Sequence, residues 1–181
     1  MIDSIAKTPR MAKHLLRDGM MKGRKLMTKM AAQSMLSEFW DGNLPVNPAV
    51  IARAAGIAVR QDPELGTAVG RIQYEGGLAC IDVHPDTSAL RQRFVIAHEL
   101  GHFMLHGGAR FVDVEQELEP IQLDIRERQA NLFALELLIP SFAVEILIYK
   151  RKIFSLEKLR TMFGVTDKAL HYKLRRLGWL P

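Results

Sequence analysis

HELGH, residues 98–102, constrains this chain more than any other stretch. Two histidines four apart lie on one face of an α-helix, where their ring nitrogens can meet at a common centre about 2.0–2.1 Å from each, the bond length zinc requires. At about 100° per residue, Ile96, Leu100, Phe103 and Met104 gather opposite His98 and His102. The sequence therefore predicts a helix with its apolar stripe on a core and its histidines on a different surface. Glu99, offset by about 100° from His98, flanks such a centre without ligating it, and the pattern matches H-E-x-x-H, whose glutamate is a general base. The bland alternative is an amphipathic turn that carries the five letters by chance.

A catalytic zinc usually takes three protein ligands and keeps one position open, so a third ligand is needed. His106 lies eight residues past His98, about 12 Å along a continuing helix, too far to share the ion. The pattern H-E-x-x-H-x-x-G-x-x-H fails as well, since this chain has Leu105 and Gly108 at its last two fixed positions. His106 is expected to be structural. The better candidate is Glu127 in ERQANLFALELLIP, residues 127–140. On a helical wheel Leu123, Ala130, Ala134, Leu137 and Leu138 surround Glu127, while Gln129 and Glu136 fall on the far side. A carboxylate in an apolar stripe is costly to bury unless it is paired or bound to metal. The competing reading is a salt bridge from Glu127 to an arginine or to His106. Asp124, offset by about 60° on the wheel, and Asp113, in the loop-like acidic stretch 113–119, are weaker rivals.

Elsewhere the punctuation is legible. Residues 5–40 have no proline after Pro9 and read as one or two helices with an irregular stripe including Met11, Leu15, Leu16, Leu26, Met30, Met35 and Phe39. Asn47-Pro48 starts a short helix through Ala55 that Gly56 ends. Strands are expected over 57–60, 69–74 and 78–83, the last two joined by a hairpin turn at Glu75-Gly76-Gly77. From Arg91 the period becomes helical. In the tail, Ser155 can cap a helix that Gly164 breaks, and Thr166 can cap a second one carrying Lys168, His171, Lys173, Arg175 and Arg176.

Composition excludes whole classes. No apolar run approaches the roughly 18 residues of a membrane span, and the start of the chain does not read as a secretory signal. One cysteine, Cys80, cannot form an internal disulfide, which points to a reducing cytoplasm. Charge is divided: residues 1–30 carry eight Lys/Arg against two Asp, residues 150–181 carry nine against two acidic groups, and the middle is acidic. Basic ends of this kind can dock on the acidic body, meet a partner or nucleic acid, or simply be solvated. The leucine-rich tail favours protein docking over sequence-specific DNA reading.

Taken together, RQRFVIAHELGHFMLHG at 91–107, E-x-x-A-N-x-F-A-x-x-L-L-x-P at 127–140 and, less specifically, NPAVIARAAGIAV at 47–59 resemble the ImmA/IrrE-type metallopeptidases. Ile139 stands where methionine is common. The resemblance implies zinc held by His98, His102 and Glu127, with Glu99 as catalytic base. It also implies a cytoplasmic bacterial protein, often borne by a phage or mobile element, acting on a helix-turn-helix repressor. The fold expected is an α+β, zincin-like metallopeptidase core with a small sheet and basic helical extensions at both ends. The corresponding segments are 1–42, 43–140 and 141–181. The function expected is zinc-dependent cleavage of such a repressor or of another regulatory partner. Tyr74, His84 and His106 are open candidates for stabilising the oxyanion. The alternative is a metal-containing regulator or toxin–antitoxin component that binds protein or DNA without cleaving it.

Overall fold

A computed structural model describes the backbone of residues 9–107, 111–114 and 124–181, with side chains over 23–107 and 124–181. The predicted N-terminal helical region is a single helix, α1 (Pro9–Phe39), with residues 5–8 and the side chains of Met11, Leu15 and Leu16 outside that description. Helix α2 (Pro48–Ala54) begins where Asn47 accepts hydrogen bonds from the amides of Ala49 and Val50, and Gly56 closes it at φ +80°. A capping asparagine of this kind contributes about 1 kcal/mol.

Strands β1 (Ala58–Gln61), β2 (Ala68–Glu75), β3 (Leu78–Val83) and β4 (Phe111–Val114) form one sheet in the order β1-β3-β2-β4. β2 and β3 are the expected hairpin, with Gly76 and Gly77 both at positive φ as a tight two-residue turn requires. β1 runs parallel to β3, and β4 runs antiparallel to β2. This fourth strand corrects the loop expected around Asp113, whose backbone pairs with Gly70. Residues 115–123, including Leu123, lie outside the described residues. The strand's signal, FVDV, is too short and too close to an acidic stretch to stand out from sequence.

One face of the sheet packs on α3 (Ala89–His106) through Ala68, Gly70, Ile72, Ala79, Ile81 and Val83. Gly70 is needed there, because a Cβ would sit 2.1 Å from Val95 Cγ1. On the other face Asp82 is fully buried between Arg60 and Arg71, with contacts of 2.9 Å to each, and Arg71 also reaches Asp62 at 2.9 Å.

Helix α4 (Ile125–Leu138) lies between α3 and α1 and is therefore covered on more than one side. Phe133, Ala134, Leu137 and Leu138 are essentially inaccessible, and burying a side chain like Phe133 stabilises by roughly 1.5–3 kcal/mol. That enclosure overturns one expectation: Glu136, assigned to the polar far side, is 5% exposed. It meets Ser141, at the start of α5 (Ser141–Glu145, continuing as a π turn through Lys150), and Lys173 of α7 (Asp167–Arg176). The wheel failed because it assumed one solvent face.

Ser155 and Thr166 cap α6 (Leu156–Phe163) and α7, and Gly164 turns between them at φ +60°. Leu159, Phe163, Leu170 and Leu174 join the same apolar core as α1, α3, α4 and the sheet. Arg93 of α3 ties these parts together, donating to Val46 O at 2.6 Å and to Gly164 O at 3.0 Å. Among the described residues no single helix is long and apolar enough to cross a membrane.

Candidate metal centre

Helix α3 places His98 and His102 one turn apart, with their Nε2 atoms 2.9 Å from each other. His98 is 2% and His102 1% exposed, because α4 covers the face opposite the sheet. Ile96 and Leu100 are buried as expected, whereas Met104 is exposed. Glu127 enters from the first turn of α4, its Oε2 at 3.2 Å from His98 Nε2 and its Oε1 at 3.2 Å from His102 Nε2. Asp124 caps α4 by accepting from Arg126 N, so it serves the helix start.

The approach of the two helices depends on the glycine within HELGH. A Cβ at Gly101 would stand 3.0 Å from Ala130 Cα and 3.1 Å from Phe133 Cβ, tighter than ordinary contact. A glycine there lets α3 and α4 close, and the closure sets Glu127 against the histidines.

The outer nitrogens of both rings are engaged as well. Asn131 Oδ1 lies 2.9 Å from His98 Nδ1; an amide oxygen accepts, so Nδ1 carries the proton and the Nε2 lone pair faces Glu127 and His102. His102 Nδ1 is 3.1 Å from His106 Nδ1, and His106 Nε2 is 3.5 Å from Gln129 Oε1. Reading the chain from the Gln129 oxygen, each ring donates outward and His102 Nε2 is again left as a lone pair directed inward. His106 thus orients His102, in keeping with its expected structural role. Asn131 was missed; its signal is its place one turn after Glu127, on the same face of α4.

Electrostatics agree. Burial, reinforced by neighbouring His98, keeps His102 below the ordinary imidazole value even against the pull of Glu127, so it is neutral near pH 7. Glu99 is fully buried on the same helix, one residue from His98. Tyr74 is exposed at the far end of β2, and His84 Nδ1 accepts from Asp86 N.

The donor set fits a divalent ion. Two inward lone pairs and an ionised carboxylate 2.9–3.2 Å apart repel one another unless positive charge sits among them. Around a tetrahedral centre with zinc-like bonds, ligand atoms stand about 3.3 Å apart, so only a few tenths of an ångström of opening is required. Among the described residues, His98, His102 and Glu127 are the group able to hold a metal.

The family model described as Peptidase_M78, IrrE N-terminal-like domain, matches residues 52–175. Metallopeptidase ImmA of Bacillus subtilis (strain 168) is 32% identical over 115 residues, covering 64% of this chain and 68% of that protein. An uncharacterized immunity region protein 2 of Bacillus phage phi105 is 28% identical over 152 residues, 84% of this chain and 92% of that one. In fold, a Mycobacterium tuberculosis transcriptional regulator aligns with a TM-score of 0.56 at 20% identity over 81% of this chain. The present chain covers only 46% of that structure's length.

Proposed function

The chain belongs to the IrrE N-terminal-like peptidase family, and on that premise we propose that it is a zinc-dependent endopeptidase acting on a regulatory protein. The observation that carries the reading is the convergence of His98 and His102 with Glu127, all at 3.2 Å or less, beside a fully buried Glu99. Three ligands leave a position for substrate, whereas a structural zinc takes four. Two nitrogens and a carboxylate oxygen suit zinc.

When bound, zinc supplies a Lewis acid that polarises the scissile carbonyl and acidifies a water molecule. Glu99 takes the proton of that water as its oxygen bonds to the carbonyl carbon. The C–N bond then breaks, and Glu99 passes the proton to the departing amine. Asn131 and His106 keep the two imidazoles in the tautomer that presents Nε2, and Gly101 keeps Glu127 within reach.

The substrate we propose is a small helix-turn-helix repressor or antitoxin encoded near this chain in a phage or mobile element, met in the cytoplasm. Similarity to a phage immunity-region protein supports a regulatory partner. DNA reading by α7 is disfavoured because Lys173, one of its basic residues, turns inward onto Glu136. The test is to incubate metal-loaded protein with repressors encoded beside it and follow cleavage by mass spectrometry. Glu99→Gln should keep metal and fold and lose cleavage. Equal cleavage by that variant removes Glu99 as base, and stoichiometric binding without cleavage by the wild type supports a non-proteolytic regulator instead.

A further inference from the structure

Away from the metal centre, α1, α4 and α7 line a half-open pocket of about 330 Å³. Its floor is a buried polar cluster. Glu136 Oε2 accepts from Ser141 Oγ at 2.7 Å and from Lys173 Nζ, while Oε1 accepts from Ser141 N at 3.3 Å and Gln33 Nε2 at 3.5 Å. The one carboxylate of the lining is therefore fully engaged and offsets the one buried cation. The rim is of a different character. Lys25 and Lys29 stand one turn apart on α1, and Arg176 arrives from α7, its guanidinium over the Tyr172 ring at 5.6 Å. Among the described residues none of these three forms an ion pair.

Three cations facing one concavity repel each other, and like charges one helical turn apart already disfavour α1 slightly. The field reaches the floor: burial lowers the Lys173 ammonium, Glu136 opposes that, and the charges of Lys29 and Arg176 lower it further. Between floor and rim the walls are apolar, built from Leu132 and Leu135 of α4. The volume falls within the range of small-molecule sites, which begins at about 300 Å³. Apolar walls and a tricationic rim suit a small anion with an organic body. Duplex DNA would need a convex or grooved basic surface, which a cavity of this size does not offer.

We propose that this cavity binds a small organic phosphate, its phosphate oxygens meeting Lys25, Lys29 and Arg176 and its body resting on Leu132 and Leu135. Occupancy neutralises the rim and fastens α1 and α7 to α4. The site does not depend on the reading of the metal centre.

The test is calorimetric titration of the full chain with adenosine 5′-diphosphate and with inorganic pyrophosphate at about 0.15 M salt, where long-range attraction is screened. Amide shifts are followed by NMR. The expected result is saturable one-to-one binding, tighter for the nucleotide, with shifts at Leu135 and Leu177. The double variant Lys29→Gln/Arg176→Gln should weaken binding at least about tenfold, since charge-assisted hydrogen bonds to phosphate are lost. Lys158→Gln, at an exposed position of α6, should leave it unchanged. Circular dichroism of the double variant checks its fold. Four results would overturn the proposal: no saturation up to millimolar ligand, binding indifferent to the double variant, shifts confined to residues 98–102, or binding of duplex DNA alone.

Discussion

Replacing Gly101 by alanine adds one methyl group at the closest approach of α3 and α4. The new Cβ would lie 3.0 Å from Ala130 Cα, 3.1 Å from Phe133 Cβ and 3.2 Å from Ala130 O, whereas carbon atoms pack at about 3.5–4.0 Å. Ala130 and Phe133 are both fully buried, so the strain falls on the helices, which must part by about half an ångström. Overpacking of this kind costs about 1–3 kcal/mol. Alanine returns up to about 1 kcal/mol of helix propensity. The net expectation is a loss of about 1–2 kcal/mol, or roughly 2–8 °C in Tm for a chain of this size. Because the same displacement carries Glu127 away from His98 and His102, zinc affinity should fall about tenfold, the lower end of what disturbed support of ligands costs. Urea unfolding of metal-free protein reads the first quantity, and competition with a chromophoric chelator reads the second. A Gly101→Ala protein at least as stable as wild type, with undiminished zinc affinity, would refute the packing argument.

Two further outcomes follow from the same geometry. Asn131→Ala removes the acceptor that fixes the His98 tautomer, so zinc affinity should drop about 10–100-fold with little change in the metal-free Tm; unchanged affinity in chelator competition would show that the ring needs no such partner. Asp82 is held below its ordinary pKa because Arg71 and Arg60 together outweigh the raising effect of burial. The unfolded chain thus binds that proton more readily, so the contribution is complete above about pH 4 and is lost as pH falls through the folded value. Asp82→Asn should flatten that part of the acid limb in urea midpoints measured from about pH 2 to 6, and an unaltered limb would contradict the assignment.

How much of this was legible in the letters depended on whether a residue's role is local. Helix starts at Asn47, Ser155 and Thr166 and the Gly76-Gly77 turn were readable, because caps and tight turns are decided by neighbours in sequence. The pairing of His98 with His102 was readable for the same reason. Glu127 was reachable because a carboxylate amid an apolar stripe asks for a partner. What escaped were features set by three-dimensional enclosure. Glu136 was expected on a polar face, because a wheel cannot show that α4 is covered by both α3 and α1. β4 escaped because its four residues acquire their ladder only from β2. The role of Gly101 is invisible until the neighbouring helix is in place.

The central claim, a three-ligand metal centre with a position left for substrate, is tested most directly by crystals of the zinc-loaded protein and an anomalous difference map at the zinc edge. The account predicts one strong peak per chain at about 2.0–2.2 Å from His98 Nε2, His102 Nε2 and a Glu127 oxygen, with no fourth protein ligand. A peak elsewhere, or one closed by a fourth side chain, would contradict it.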